Sequence, residues 1–275
     1  SHSLYDSSRG ATKQLESDTT TAESTESEGL TSFTSDGFTL GSLDQVNTNN
    51  ESFVGWSWKA SGGSAPSITY TVKVVSDSGN KYRFDDFGTS AVTLDLQEGG
   101  TYTFDQSDSS NATHPLRFYT AADKSGGEYT TGVTTNGTPG SSGAYTRITV
   151  AASAPTLYYQ CSSHAAMGGA VNTNSTFGSS NFAGSIQSTV QTNSDARFSI
   201  VKYTGTGSAG TVGHGLSSAP EWVMTKSISN DTSDGFTTYH TGLTSASYYI
   251  DLSKTNAQNS ASVVWNGTAP TSSVF

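Results

Sequence analysis

No stretch of this chain longer than about ten residues sets its apolar side chains at helical spacing. Apolar residues come instead in short aromatic and β-branched runs, such as Ile68-Thr-Tyr-Thr-Val-Lys-Val-Val75 and Leu157-Tyr-Tyr-Gln160, bounded by Gly, Ser, Asn and Asp clusters. Branched and aromatic side chains suit a pleated, half-buried surface, and the polar clusters between them are turn formers. The pattern predicts an all-β protein with many turns. Aromatic residues make up 11% of the 275, too many for a disordered chain, although only 13% are charged. This length suits two or three domains.

Charge and cysteine content remove several function classes. The formal net charge is −10 and no basic cluster stands out, so neither phosphate backbones nor anionic membrane surfaces should attract the chain. No apolar run approaches the roughly 20 residues that span a bilayer. Ser1-His2-Ser3 carries no leader, as expected after processing or if upstream residues are missing. A single Cys cannot form an internal disulfide, so compartment cannot be read from cystine. Asn-x-Ser/Thr sequons at Asn50, Asn111, Asn174, Asn230 and Asn266 match chance in so Asn/Ser/Thr-rich a chain.

Linker-like composition divides the sequence. Lys59-Ala-Ser-Gly-Gly-Ser-Ala-Pro66 ends a first block and Asn172-Thr-Asn-Ser-Thr176 a second. The expected organisation is a first β-module over 1–60, a central domain over 61–172, a linker over 173–196 and a further β-module over 197–275. In the centre, strands are expected at 68–76, 82–84, 92–96, 101–105, 116–119, 145–150 and 156–160, with a last strand after Gly168-Gly. That is the strand count of a small Greek-key sandwich. The flanks share a weaker pattern. Leu4-Tyr-Asp-Ser, Gln14-Leu-Glu-Ser, Thr20-Thr-Ala and Thr34-Ser-Asp-Gly-Phe38 run parallel to Tyr239-His-Thr-Gly-Leu, Tyr249-Ile-Asp-Leu, Thr255-Asn-Ala and Thr271-Ser-Ser-Val-Phe275. Two copies of one module, each cut at one end, would read this way, as in a slice of a longer tandem array. Chance similarity in a Ser/Thr-rich chain is the plain alternative.

The chemistry concentrates in one loop. Cys161, His164 and Met167 stand in Tyr158-Tyr-Gln-Cys-Ser-Ser-His-Ala-Ala-Met-Gly-Gly169, and His114 stands upstream in Thr113-His-Pro-Leu-Arg-Phe118. The whole chain holds one Cys, two Met and five His. Two imidazoles and a thiolate in a plane, with a long axial thioether, are the ligand set of a blue-copper site. The run 157–160 should lead Cys161 out of a penultimate strand, and Pro115 should fix the backbone beside His114. The Cys-x2-His-x2-Met loop resembles that of the small cupredoxins of amicyanin type, with Ser162-Ser163 where Thr-Pro is common. The resemblance implies a cupredoxin-like sandwich and copper held by His114, Cys161, His164 and Met167. A retained fold with an empty site, or another metal, stays open.

Other residues support plainer readings. Asp85-Asp86 and the acidic stretch 16–28 lack EF-hand spacing and read as solvated turns. His214 reads as a turn histidine, His240 as a solvent-facing strand residue, and His2 is uninformative. Trp56, Trp58, Trp222 and Trp265 could stack on sugar rings, but the alternation in Phe53-Val-Gly-Trp-Ser-Trp58 predicts a strand with one face in a core. No hydrolase elbow or zincin motif is present, so an enzyme is not expected.

The flanks, by contrast, resemble a known module. Arg197-Phe-Ser-Ile-Val-Lys-Tyr-Thr-Gly-Thr-Gly207, Val212-Gly-His-Gly-Leu-Ser-Ser-Ala-Pro-Glu-Trp-Val-Met224, Tyr5-Asp-Ser-Ser-Arg-Gly-Ala11 and Asp36-Gly-Phe-Thr-Leu-Gly-Ser42 resemble a lectin-like, jelly-roll β-sandwich module of marine bacteriophage structural proteins. That implies a non-enzymatic virion component at the particle surface: a tail fibre, other appendage or capsid decoration. Its partners would be further copies of itself, other virion proteins, and host-surface glycans or proteins. A soluble blue-copper electron carrier with accessory β-domains and a secreted bacterial adhesin are the alternatives.

Overall fold

The computed structural model describes residues 2–59, 65–174, 178–229 and 235–275. Outside them lie 60–64 of the first expected linker, 175–176 of the second (and of the Asn174 sequon), and Asn230. In chain order the elements are β1 (Ser3–Asp6), β2 (Gly10–Glu16), β3 (Ser24–Thr25), β4 (Leu30–Phe33), β5 (Phe38–Leu40) and the single-turn α1 (Asp44–Asn47). Next come β6 (Ser67–Ser76), β7 (Asn80–Phe84), β8 (Leu94–Gln97), β9 (Thr101–Asp105), the 3-10 turn η1 (Ser109–Asn111), β10 (Leu116–Tyr119), β11 (Val133–Asn136), β12 (Tyr145–Thr149), β13 (Leu157–Cys161) and β14 (Ala170–Asn174). The rest are β15 (Ser179–Asn181), β16 (Ser188–Asn193), β17 (Phe198–Tyr203), β18 (Trp222–Thr225), β19 (Thr237–His240), β20 (Tyr248–Asp251) and β21 (Asn259–Ser260). The protein is all-β, and its residues fall into two compact units, one of 1–58 with 216–273, the other of 59–215.

The second unit is built on a sandwich. A five-stranded sheet runs β11-β12-β9-β6-β7, and a four-stranded sheet runs β10-β13-β14-β8. Two pairs, β6 with β9 and β14 with β8, are parallel, so the chain crosses over rather than meandering. Period-two alternation supplies the core between the sheets. Tyr70 and Val72 on β6, Tyr82 and Phe84 on β7, Tyr102 and Phe104 on β9, and Leu116 and Phe118 on β10 all turn inward. Ring contacts join the two sheets: Phe84 meets Tyr159 at 5.1 Å and Phe104 meets Phe118 at 5.5 Å. Burying each such side chain contributes about 1.5–3 kcal/mol.

The expected linker over 173–196 is not one. Past β14 the chain forms the antiparallel sheet β15-β16-β17, and its residues complete the sandwich core. Phe182 is buried against Tyr70 at 5.5 Å and Phe87 at 5.5 Å. Two tyrosine hydroxyls inside the sandwich need partners. Tyr70 Oη donates to Ser180 O at 2.8 Å, and Tyr102 Oη bonds Ser179 Oγ at 2.6 Å. A Ser/Asn-rich strand looks like a linker in composition, yet here its small polar groups satisfy buried phenols. The expected opening of the last module is corrected as well. β17 pairs with β16 from Tyr203 back to Phe198 and belongs to this unit.

The two flanks, expected as parts of two separate modules, pack into one unit. Lys226 Nζ donates to Glu16 O at 2.7 Å and Thr19 O at 3.0 Å, and so ties one flank to the other. The meanders β1-β2-β3 and β19-β20-β21 share a strand order, and their second hairpins share a spacing. In the first hairpin Ser3 pairs Glu16 and Leu4 pairs Leu15, whereas Thr237 pairs Asp251 and Thr238 pairs Ile250, one residue further apart along the chain. In the second, Lys13 and Gln14 pair Thr25 and Ser24 at the same spacing at which Tyr248 and Tyr249 pair Ser260 and Asn259. The expected strand over 53–58 is absent. Phe53, Trp56 and Trp58 are 51%, 79% and 65% exposed, because without a paired neighbour alternation defines no buried face.

Phe182→Ala tests the corrected boundary. A residue packed among three rings should cost about 3 kcal/mol in urea unfolding. A loss within about 0.5 kcal/mol, the usual range of a surface position, would restore the linker.

Candidate metal centre

The pleat of β13 sets the first ligand. Leu157, Tyr159 and Cys161 occupy its inward positions, and all three are fully buried. The thiol therefore ends the strand pointing into one end of the sandwich. His114 reaches the same end from the turn between β9 and β10. Three amide-bearing side chains fix the two loops. Gln106 Nε2 donates to His114 O at 2.8 Å, while its Oε1 accepts from Leu116 N at 3.0 Å. Asn111 Nδ2 donates to Val72 O at 2.7 Å, and Asn111 O accepts from His114 N at 2.8 Å. Gln160 Oε1 accepts from Met167 N at 3.0 Å and Gly168 N at 3.1 Å. Tyr82 adds a hydroxyl bond to His114 O at 2.9 Å. Thr113, just before His114, is held at φ +67, a conformation that non-glycine residues adopt only where the surroundings enforce it.

The result is a convergent donor set. Cys161 Sγ lies 3.5 Å from His164 Nδ1 and 3.8 Å from His114 Nδ1. All three donor atoms fall within 4.8 Å of one another. A nitrogen at ~2.0 Å and a sulfur at ~2.3 Å from one ion, at tetrahedral to trigonal angles, stand roughly 3.5–3.8 Å apart. The spacing therefore fits a single transition-metal ion. His114 and Cys161 are buried and His164 is exposed, so the centre opens on one side.

Met167 ends the same loop, buried in the core cluster that contains Cys161. Its carbonyl accepts from Tyr82 N at 2.9 Å. Behind it Gly168 is obligatory, since a Cβ there would sit 1.7 Å from Tyr159 O.

The other expected site residues do not join this centre. Trp56, Trp58, Trp222 and Trp265 belong to the other unit. Trp222 is 56% exposed, whereas Trp265 is half-buried with its ring against Tyr239 at 6.1 Å. Asp85 accepts from Thr71 N at 2.8 Å and Asp86 pairs with Lys73 at 2.7 Å, as turn residues would. In the acidic stretch, Glu23 pairs with Arg9 at 3.3 Å. His240 is exposed at the end of β19, and His214 is buried. The supporting residues Gln106, Asn111 and Gln160 were not foreseen. Their signal is polar side chains close in sequence to the two ligand positions.

Burial, and secondarily the charge of His164, lower the His114 pKa from its ordinary value. Because the folded value is the lower one, the metal-free protein keeps this contribution to stability above the unfolded imidazole pKa of about 6.5 and loses it as pH falls through the folded value. Urea midpoints of the metal-free protein at pH 7 and pH 5 should therefore differ less in His114→Gln than in wild type. Equal pH dependence in the two proteins would show that His114 titrates as it does unfolded.

A family model matches residues 1–154 and 169–275, and its description is a domain of unknown function, DUF7483. The stretch it leaves unmatched, 155–168, carries Cys161, His164 and Met167. Neither a curated protein nor a solved structure matches the chain. With most of its length matched, the chain belongs to the DUF7483 family.

Proposed function

We propose that this chain is a non-enzymatic structural component of a phage particle, in which a type 1-like copper ion staples the two loops at one end of a cupredoxin-like sandwich. The observation that carries the copper reading is the approach of the Cys161 thiol to two imidazole Nδ1 atoms at 3.5 and 3.8 Å. His114, Cys161 and His164 would supply the strong ligands and Met167 the weak axial thioether, a donor set that selects copper over harder ions. The parallel pairs β6 with β9 and β14 with β8 also suit a cupredoxin-like strand order. Bound copper would supply thiolate–metal bonding that holds together residues 47 positions apart, and such binding adds to folding free energy. The particle half of the reading is supported by the flank resemblance and by two meanders of the same strand order whose second hairpins share a spacing, which suit a repeat protein. Exposed Trp56, Trp58 and Trp222 suit contact with host-surface glycans.

A second reading, a blue-copper electron carrier, is favoured by one observation: His164 is exposed, which would bring the ion close to a partner.

Copper(II) titration of the metal-free protein tests the proposal. Wild type should develop an intense visible thiolate-to-copper band that Cys161→Ser abolishes. Copper at a hundred times its Kd should stabilise the fold by about 2.7 kcal/mol. A colourless protein, or one whose band survives Cys161→Ser, contradicts the copper reading. Rapid reversible reduction by a partner oxidoreductase would favour the carrier over the staple.

A further inference from the structure

Across the ligand loop lies a residue outside the ligand set. Lys124 sits in a tight turn after β10, at φ +68, closed by Lys124 N donating to Ala121 O at 3.0 Å and by Gly127 N donating to Lys124 O at 3.2 Å. Its Nζ points at the backbone of the metal loop. It donates to Cys161 O at 3.1 Å, Ser162 O at 3.3 Å and His164 O at 3.3 Å. An ammonium has three N–H donors, and three loop carbonyls receive them. On the other side of the loop Lys81 Nζ donates to Ala166 O. In a chain with 13 basic residues and 23 acidic ones, two ammonium groups are thus committed to one loop of nine residues.

We infer that Lys124 is a positioning residue of the metal centre: its ammonium latches residues 161–164 in the ligating conformation and places a positive charge beside the thiolate. The inference rests on the copper reading for its metal-dependent part. Two consequences follow from the geometry. The latch pre-organises Cys161 and His164, so the loop need not be ordered when the ion arrives. The nearby positive charge favours the lower charge on the ion, so it raises the reduction potential of bound copper.

Lys124→Met keeps the stem and removes the charge and its donors. Lys73→Met, which removes an ammonium paired with Asp86 at the surface, is the charge control. In Lys124→Met, copper affinity should fall about 10–100-fold, the usual effect of losing an outer partner of a ligand, and the reduction potential should drop. In the metal-free protein the loop amides of Ser162, Met167 and Gly168, each hydrogen-bonded in the fold, should exchange faster with solvent deuterium. Lys73→Met should match wild type in all three. Affinity, potential and loop exchange rates all equal to wild type in Lys124→Met would overturn the latch while leaving the copper reading intact. Wild type that binds no copper would overturn the copper reading, and the loop exchange rates would then decide the latch alone. Should Lys124→Met fail to fold, Lys124→Arg keeps the charge but spreads its donors in a plane. It should hold the potential and lose affinity about tenfold, and unchanged affinity would overturn the inference.

Discussion

A β-strand cannot turn one side chain without turning its neighbours, and the metal centre depends on that constraint. With Leu157 and Tyr159 committed to the core, the pleat places Cys161 on the same face, fully buried at the end of β13. A slip of one residue would turn Gln160 into the sandwich in its place, and the thiol would take the position from which Gln160 now holds Met167 N and Gly168 N. The pairing of β13 with β10, Leu116 against Cys161 through Tyr119 against Tyr158, holds that register. It also brings the residues just before β10, His114 among them, beside the thiol.

Holding the second ligand is a problem of polar groups rather than apolar ones. The His114 turn buries its own backbone, and each unsatisfied buried polar group would cost about 1–3 kcal/mol. Gln106, Asn111 and Tyr82 meet that demand directly, and Gln160 does the same for the loop after Cys161. Each is a side chain standing where a regular ladder has no partner to offer. The same logic joins β15 to the sandwich, where serines complete the phenols of Tyr70 and Tyr102.

How much of this was legible in the sequence follows from the same physics. Strands with strict alternation, such as β6, β9 and β10, were placed within a residue of their bounds, because a two-residue period is a direct image of a half-buried sheet. The convergence of His114, Cys161 and His164 was legible because rare residue types clustered at ligand spacing. β15 and β16 were not legible, since their inward positions hold Ser as well as Val and composition there resembles a linker. The tryptophans misled in the opposite direction. The alternation from Phe53 to Trp58 predicted a strand, but alternation reports burial only when a neighbouring strand supplies the hydrogen bonds. Lys124 could not have been singled out at all. It is one lysine in a turn, and only the fold shows what its ammonium meets.

X-ray absorption at the metal edge of the copper-loaded protein tests the central claim most directly, because it counts the atoms around the ion. The account predicts one short sulfur shell together with two imidazole nitrogens, and loss of the sulfur shell when Cys161 is replaced by Ser. A first shell of oxygen and nitrogen alone in the wild-type protein would contradict it.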